Sequence, residues 1–250
     1  MRKIFWDNPY QSDLETRVVS VDNNYVLFEE TIAFSFSGGQ ESDHAYVNGL
    51  PVIDSKIEGN LIYYVLQDEH NLKPGDVVTM KIDWPRRYRL MRLHFAAELI
   101  LELVTQELKL EKIGAHIAES KARIDFFCDK NIYFLFENML SDYNKIIQQD
   151  LKIKTGFSDL QNQRRIWEIE GFSKVACGGT HVKSTSEVGL IALKRINIGG
   201  GKERIEIKLL DYCLQQLLIT PPFKTWRDFT YTIEQVTWAG NVLRVDYSNV

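Results

Sequence analysis

The sequence has few cysteines and no long hydrophobic run. Its 250 residues include three cysteines at widely separated positions. An odd number without a regular spacing excludes a framework of paired disulfides and predicts reduced thiols. No segment approaches the roughly 18 uninterrupted apolar residues of a membrane helix, and residues 1–9 lack the apolar stretch of a signal peptide. We therefore expect a soluble cytoplasmic protein without a membrane partner.

An excess of positive charge is also missing. The net charge is −4 and the isoelectric point is near 5.8. The whole-chain balance gives no sign of nucleic-acid binding, so a nucleic-acid partner has to be recognised by local clusters of Lys and Arg. Apolar residues make up 44% and charged residues 26% of the chain, which are ordinary values for a globular protein. The length allows one large or two modest domains, and we predict two.

The N-terminal third has the pattern of short β-strands. Five β-like runs between residues 18 and 82 are separated by turn signals such as Asn48-Gly49 and Lys73-Pro74-Gly75-Asp76. Several strands at close spacing predict a small antiparallel β-barrel, which we assign to residues 1–84.

The pattern changes at Pro85. Apolar residues at three- and four-residue steps predict a helix over residues 86–110, and a second helix is predicted over residues 137–152. Strand-like runs between and after them, including residues 132–136, predict an α+β sandwich over residues 85–211. Residues 212–250 differ in character and contain a candidate β-hairpin around Ala239-Gly240-Asn241. The predicted fold class is therefore α+β, with a barrel, a sandwich and a C-terminal hairpin-like extension.

Two short motifs offer metal ligands. His94 and Glu98 are one helical turn apart and project from the same face. Cys177 and His181 lie on a loop rich in small residues, which lets both side chains turn towards one ion. Thiolate and imidazole are ligands that Zn²⁺ prefers, and a site needs three or four of them. From the helical pair alone, a buried core histidine beside a solvated glutamate is the simpler interpretation.

Longer motifs carry a family resemblance. They are Phe5-Trp6-Asp7-Asn8-Pro9-Tyr10, Gly38-Gly39-Gln40, Asp83-Trp84-Pro85-Arg86-Arg87, Met91-Arg92-Leu93-His94 and Cys177-Gly178-Gly179-Thr180-His181. Over residues 1–211 the chain resembles the alanyl-tRNA editing proteins, the freestanding AlaX type related to the editing domain of alanyl-tRNA synthetase. The Cys-Gly-Gly-Thr-His string downstream of the helical histidine is the most specific of these motifs.

The resemblance implies a function as well as a fold. Such proteins use zinc to hydrolyse serine, or sometimes glycine, from mischarged tRNA for alanine, an error that a small synthetic pocket rejects poorly. It implies that His94, Cys177 and His181 hold Zn²⁺. Gln40 would help to hold the aminoacyl group, and Thr180 would offer its hydroxyl to the substrate.

The helical motif departs from the family pattern, which has a second histidine where this chain has Glu98 and usually a threonine where it has Ala97. Three alternatives follow: Glu98 ligates the zinc, acts as a general base beside a three-ligand zinc, or marks a paralogue with lost or redirected hydrolysis. The first is favoured. A carboxylate ligand added to a thiolate would nearly neutralise the ion and weaken its ability to acidify water.

Further residues are expected to contact tRNA. The glycine run before Arg204 has backbone N–H groups that could hold phosphate, and basic residues flank both metal motifs. The expected tRNA contacts are Arg86, Arg87, Arg92, Gly199, Gly200, Gly201, Lys202 and Arg204.

The favoured function is a trans-editing hydrolase with a zinc cofactor and mischarged tRNA for alanine as its partner. A second alternative is a catalytically altered or inactive paralogue, in which zinc staples the loop to the helix of a module that binds tRNA or a protein. A third is a zinc hydrolase acting on a small ester unrelated to tRNA.

Overall fold

The computed structural model describes residues 1–210, 235–239 and 242–246. In these residues the chain is a mixed α+β structure with mostly antiparallel sheets, and the first large sheet is curled into a half-barrel. The predicted fold class is confirmed. The division at residue 84 stays a prediction.

The curled sheet is built from the N-terminal strands. The first nine strands are β1 (Arg2–Lys3), β2 (Asp13–Asp22), β3 (Tyr25–Phe28), β4 (Glu30–Thr31), β5 (Ala45–Val47), β6 (Leu50–Pro51), β7 (Asp54–Glu58), β8 (Leu61–Val65) and β9 (Val77–Ile82). Seven of them form one sheet in the order β6-β5-β9-β2-β3-β8-β7, while β1 pairs with β4 in parallel. Alternate residues of β9, namely Val78, Met80 and Ile82, point into the core. A short helix, α1 (Ile4–Asp7), follows β1.

The central helix α2 (Trp84–Leu108) follows the curled sheet directly. The side chain of Asp83 caps its first turn by accepting a hydrogen bond from the backbone N–H of Arg86, and Pro85 is accommodated in that turn. The helix ends at Lys109, whose φ of 53° is left-handed. Buried residues lie on several sides of α2, because it packs between the four-stranded sheet described next and helix α3.

The rest of the described chain surrounds α2. Its elements are β10 (Lys112–Ile117), β11 (Ala122–Phe127), a 3₁₀ turn (Ile132–Leu135), α3 (Phe136–Gln148), β12 (Lys154–Asp159), β13 (Arg164–Ile169), β14 (Ser173–Ala176), a 3₁₀ turn (Thr185–Glu187), β15 (Ile191–Gly199) and β16 (Lys202–Leu209). They form a four-stranded sheet in the order β10-β11-β16-β15 and a three-stranded sheet in the order β12-β13-β14.

The strand predicted over residues 132–136 is wrong, because this segment is a 3₁₀ turn that continues into α3. The side chain of Asn131 accepts a hydrogen bond from the backbone N–H of Tyr133 and so caps a helical turn. Apolar residues continue at helical spacing through Leu135, Met139 and Leu140, and all three are buried. The helical period of the longer segment therefore outweighs the strand propensity of its first five residues.

Two further strands, β17 (Gln235–Ala239) and β18 (Val242–Asp246), pair in antiparallel fashion and agree with the predicted C-terminal hairpin. The rest of the predicted extension lies outside the described residues. The described residues contain no helix with the length and apolar character that crossing a membrane requires.

A buried ion pair joins α2 to the loop that leads into β5 of the curled sheet. The guanidinium of Arg87 is fully buried and donates hydrogen bonds to both carboxylate oxygens of Asp43, with 2.8 Å between Nε and Oδ1. It also donates to the backbone carbonyls of Pro9 and Ile32. Each of its three nitrogens thus donates inside the protein, and this burial counts against the predicted contact of Arg87 with tRNA, which stays a prediction. Its position in a run of basic residues gave no sign of this burial.

Candidate metal centre

Helix α2 supplies the first half of the centre. His94 and Glu98 lie on one side of it, and 3.6 Å separate Nε2 of His94 from Oε1 of Glu98. His94 is buried, and its other ring nitrogen, Nδ1, has no hydrogen-bond partner among the described residues. Nε2 is therefore the nitrogen that faces the other donor groups.

The loop after β14 supplies the second half. The Sγ atom of Cys177 lies 3.3 Å from Nε2 of His94 and 3.3 Å from Nε2 of His181. The three donor atoms lie within 4.8 Å of one another. Zinc–sulfur and zinc–nitrogen bonds of about 2.3 and 2.0 Å at tetrahedral angles place sulfur and nitrogen about 3.5 Å apart. The donor types and their spacing therefore fit Zn²⁺.

Glycine at position 179 lets the loop approach the helix this closely. A Cβ atom added to Gly179 would lie 1.9 Å from Cε1 of His94 and 2.7 Å from Oε1 of Gln40. A Cβ atom added to Gly178 would meet nothing within 4 Å. The neighbouring glycines therefore differ in role, because only Gly179 is packed against a donor residue.

Contacts from the N-terminal segment hold the same loop. The indole N–H of Trp6 donates to the carbonyl of Gly178 at 2.7 Å, and the Arg165 guanidinium donates to the carbonyl of Trp6 at 3.0 Å. On the far side of the loop, the Tyr10 hydroxyl accepts from the backbone N–H of Lys183. The sequence motif containing Trp6 was recognised, but its contact with a loop 172 residues away had no local signal.

Gln40 and Thr180 meet directly beside the centre. Nε2 of Gln40 donates to Oγ1 of Thr180 at 2.8 Å, and Oε1 of Gln40 accepts from the Thr180 backbone N–H at 3.1 Å. Both residues are buried. Gln40 thus ties the turn Gly38-Gly39, which lies between β4 and β5, to the metal loop, the segment from Cys177 to His181.

Glu98 stands next to these three donors, and its carboxylate does not lie within 4.8 Å of all of them. The group within 4.8 Å comprises His94, Cys177 and His181. Oε2 of Glu98 accepts from the indole N–H of Trp167 at 2.8 Å, and Trp167 is fully buried. This bond fixes one carboxylate oxygen and leaves Oε1 on the side of His94. Trp167 was not predicted as a site residue, since it is 69 positions from Glu98.

The ionisable groups of the centre shift one another's pKa values. Burial alone would raise the pKa of the Cys177 thiol, but His94 and His181 lower it below its ordinary value. Burial opposes the charged form of His94, but Cys177 and Glu98 raise its pKa above the ordinary value. The pKa of Glu98 is lowered by His94 despite burial. The centre therefore favours thiolate and carboxylate, and a bound cation would take the place of the protons on the imidazoles.

Three other arginines predicted to contact tRNA are bonded to groups of the protein itself. Arg86 is buried with its guanidinium paired to Glu41 and Glu119, and Arg204 is paired to Asp125 through two contacts of 2.7 and 3.0 Å. Nε of Arg92 donates to the carbonyl of Val188. Each of these guanidiniums is thus already engaged in the structure.

The glycine run is far from the metal loop. It forms the turn between β15 and β16, where Gly199, Gly200 and Gly201 have φ values of 78°, 60° and 68°, and Lys202 lies over the Phe127 ring. Along β11, Phe127 is five residues from Ala122, or about 17 Å at the usual rise. Ala122 pairs with Ile117, which bonds to Gly39 beside Gln40. The structure does not bring the glycine run to the metal donors.

Comparisons with known proteins identify relatives that share the residues of this centre or most of the chain. The domain family described as the threonyl and alanyl tRNA synthetase second additional domain matches residues 164–206, a segment that includes Cys177 and His181. The alanyl-tRNA editing protein AlaX-M of Pyrococcus horikoshii is 34% identical over 214 residues, which cover 83% of this chain and 97% of that protein. The chain belongs to the alanyl-tRNA editing protein family.

Members of this editing family have counterparts inside larger enzymes. The alanine–tRNA ligase of Methanococcus maripaludis strain C7 is 30% identical over 225 residues, and that of Staphylothermus marinus is 32% identical over 231 residues. These matches cover 81% and 82% of this chain but 25% of each ligase. The chain thus corresponds in extent to the editing protein and to about a quarter of each ligase.

Proposed function

We propose that this protein is a zinc-dependent trans-editing hydrolase that removes serine or glycine from mischarged tRNA for alanine in the cytoplasm. The observation that carries the proposal is the convergence of His94, Cys177 and His181 within 4.8 Å, in a chain of the alanyl-tRNA editing protein family. A trio of protein donors leaves a tetrahedral ion one open position, which is the arrangement of catalytic zinc sites.

In this proposal the three donors would hold Zn²⁺, which supplies Lewis acidity towards the ester carbonyl and lowers the pKa of water. Oε1 of Glu98 accepts the proton of the attacking water, and Trp167 keeps the carboxylate in place through Oε2. This corresponds to a general base beside a three-ligand zinc. The exclusion of Glu98 from the donor group supports it over the favoured sequence-based alternative of a fourth ligand.

Gln40 has a different role from the one expected from the resemblance. Its amide is engaged with Thr180 through both of its polar atoms, so we propose that it orients Thr180. The Thr180 oxygen accepts from Gln40, which directs the hydroxyl hydrogen of Thr180 towards the substrate. A serine side chain on the substrate can accept that hydrogen bond.

The test is deacylation of tRNA for alanine carrying serine, glycine or alanine by protein of known zinc content. We expect release of serine or glycine much faster than alanine, loss of activity on chelation and recovery with Zn²⁺. A zinc-loaded protein that releases none of these amino acids would refute the hydrolase. Hydrolysis of a small ester, together with no binding to tRNA at low salt, would favour the small-ester hydrolase instead.

One distance favours a second candidate, a non-catalytic binding module. Oε1 of Glu98 lies 3.6 Å from Nε2 of His94, which is close enough for the carboxylate to become a fourth ligand by a small movement. Four protein ligands would fill the coordination sphere of the ion, which would then only hold the loop to the helix as a structural zinc. Binding of tRNA together with stoichiometric zinc, but with no deacylation, would identify this module.

A further inference from the structure

Strand β13 carries an arginine on the side that faces the metal centre. Arg165, Trp167 and Ile169 of this strand are buried, and the residues between them are more exposed. Trp167 is the residue that bonds to Glu98 beside the metal donors. Arg165 lies two residues before Trp167, about 7 Å along the strand, and therefore shares its face of the sheet.

The register of β13 and β14 places Arg165 opposite Cys177. Ile166 pairs with Ala176, and at the next position the backbone N–H of Cys177 donates to the carbonyl of Arg165 at 3.0 Å. Directly opposite residues of an antiparallel pair project to the same side of the sheet, with Cβ atoms about 5 Å apart. The side chain of Arg165 therefore leaves its strand next to a proposed zinc ligand.

The guanidinium of Arg165 has no carboxylate partner among the described residues. Nη2 donates to the backbone carbonyl of Trp6 at 3.0 Å, and the guanidinium carbon lies 4.7 Å from the centroid of the Phe157 ring. Asp7, the residue after Trp6, bonds to Arg2 instead, at 3.1 Å. Arg165 is 8% exposed, and the burial of a cation without an anion costs free energy that a bound anion would offset.

Two nitrogens of this guanidinium are available to a ligand. In the part of the chain that the structure describes, the buried side-chain polar atoms without a hydrogen-bond partner are Nε of Arg86 and Nδ1 of His94. Nε and Nη1 of Arg165 also lack a partner there but are not buried in this way, so both keep contact with solvent. Charged donors of this kind favour the oxygens of phosphate or carboxylate.

Lys3 adds positive charge at the same place. Its Nζ lies 4.3 Å from the centroid of the Trp6 ring and donates to the amide oxygen of Gln163, while the guanidinium carbon of Arg165 lies 5.8 Å from that centroid. The indole of Trp6 donates in turn to Gly178 of the metal loop. Positive charge thus collects beside the metal loop of a protein whose net charge is −4, and this favours an anionic ligand there.

The proposed substrate carries an anion one ribose away from the bond that is cleaved. The scissile ester joins the amino acid to the ribose of the last nucleotide, and the 5′ carbon of that ribose carries a phosphate. We infer that Arg165 binds this phosphate, which links the last two nucleotides of the RNA, and so positions the ester at His94, Cys177 and His181. The inference rests on the proposed function.

The test measures binding of three RNA hairpins without an attached amino acid to the zinc-loaded protein, by fluorescence anisotropy. All three end in an unpaired ACCA. The first has only phosphates, the second has a neutral methylphosphonate at the last linkage, and the third has it one linkage earlier. We expect the wild-type protein to bind the second hairpin about tenfold less tightly than the first, because a charged hydrogen bond is lost.

Arg165→Gln should bind the first hairpin about tenfold less tightly than the wild-type protein does. The second hairpin should then bind no more weakly than the first, because the two changes remove the same contact. The loss caused by the third hairpin should be equal in the two proteins. A merely structural role of Arg165 at the Trp6 carbonyl would weaken binding of all three hairpins and leave the loss at the last linkage unchanged.

Arg164→Gln is the matched control. Arg164 is the preceding residue of β13, is exposed and projects from the other face of the strand, so its substitution removes the same charge from another place. We expect it to bind each hairpin within about twofold of the wild-type protein. Equal binding by the Arg164 and Arg165 variants, an undiminished loss at the last linkage in Arg165→Gln, or no binding of any hairpin at low salt would overturn the inference.

This binding assay is independent of the hydrolysis assay, because the hairpins carry no ester. Protein that fails to deacylate but shows the coupling between Arg165 and the last phosphate would refute the hydrolase and support the phosphate contact. Protein that deacylates mischarged tRNA but lacks this coupling would refute the phosphate contact alone.

Discussion

The two halves of the metal centre are held in place by different means. The helical half, His94 and Glu98, obtains its spacing from the backbone of α2 itself, since residues four apart share a face. The loop half has no regular backbone between Cys177 and His181, and its shape depends on Trp6, Gln40 and the close approach of Gly179 to His94. A helical position can therefore change its chemistry without moving, whereas the loop depends on several distant partners.

The largest effect is expected from Gly179→Ala. The added Cβ atom would lie 1.9 Å from Cε1 of His94, so the loop or the histidine must move. We expect zinc affinity to fall at least about 100-fold and deacylation to be lost with it, measured by competition with a zinc chelator. Gly178→Ala is the control, because its Cβ atom meets nothing within 4 Å. Equal zinc affinity in the two variants would show that the loop is not constrained by this contact.

Glu98→Gln tests the helical half. With Glu98 as a base beside the zinc, we expect stoichiometric zinc to remain while kcat for deacylation falls by about 10² to 10⁴. The measurement is metal content together with single-turnover rates. Loss of zinc from Glu98→Gln would instead identify Glu98 as a ligand. Unchanged rates would remove it from the reaction.

Trp167→Phe sharpens the role of Glu98. The variant keeps most of the buried ring but removes the N–H that binds Oε2 of Glu98, so we expect kcat to fall about tenfold with zinc retained. A double-mutant cycle with Glu98→Gln is the control, since Trp167→Phe should have little further effect on kcat once the carboxylate is gone. Additive losses would show that Trp167 acts through packing.

The smallest effect is expected from Trp6→Phe. Loss of the indole N–H removes one hydrogen bond to the Gly178 carbonyl, with a net value of about 1 kcal/mol. We expect a severalfold loss of zinc affinity. Tyr46→Phe is a control, because Tyr46 is 42% exposed on β5 and its substitution also removes one polar group from an aromatic ring. Equal affinities in both variants would indicate that the N-terminal segment does not hold the loop.

Local features of the sequence predicted much of this arrangement. The change of pattern at Pro85 and the apolar period placed α2 to within two residues, and the four-residue spacing placed His94 beside Glu98. Contacts between distant residues had no such signal. The burial of Arg87, the bond between Trp167 and Glu98, and the packing of Gly179 on His94 depend on how the sheets close around α2. Periodicity within a short window carries no information about such contacts.

The pair formed by Arg87 and Asp43 has a consequence for how the protein unfolds. Arg87 lies in the first turn of α2, Asp43 lies in the loop that leads into β5 of the curled sheet, and the same guanidinium binds the carbonyls of Pro9 and Ile32. Separation of α2 from the sheet would break all of these hydrogen bonds at once, because one guanidinium makes them. The two parts should therefore lose structure together, as one cooperative transition, and neither is expected to persist as an independent folded intermediate.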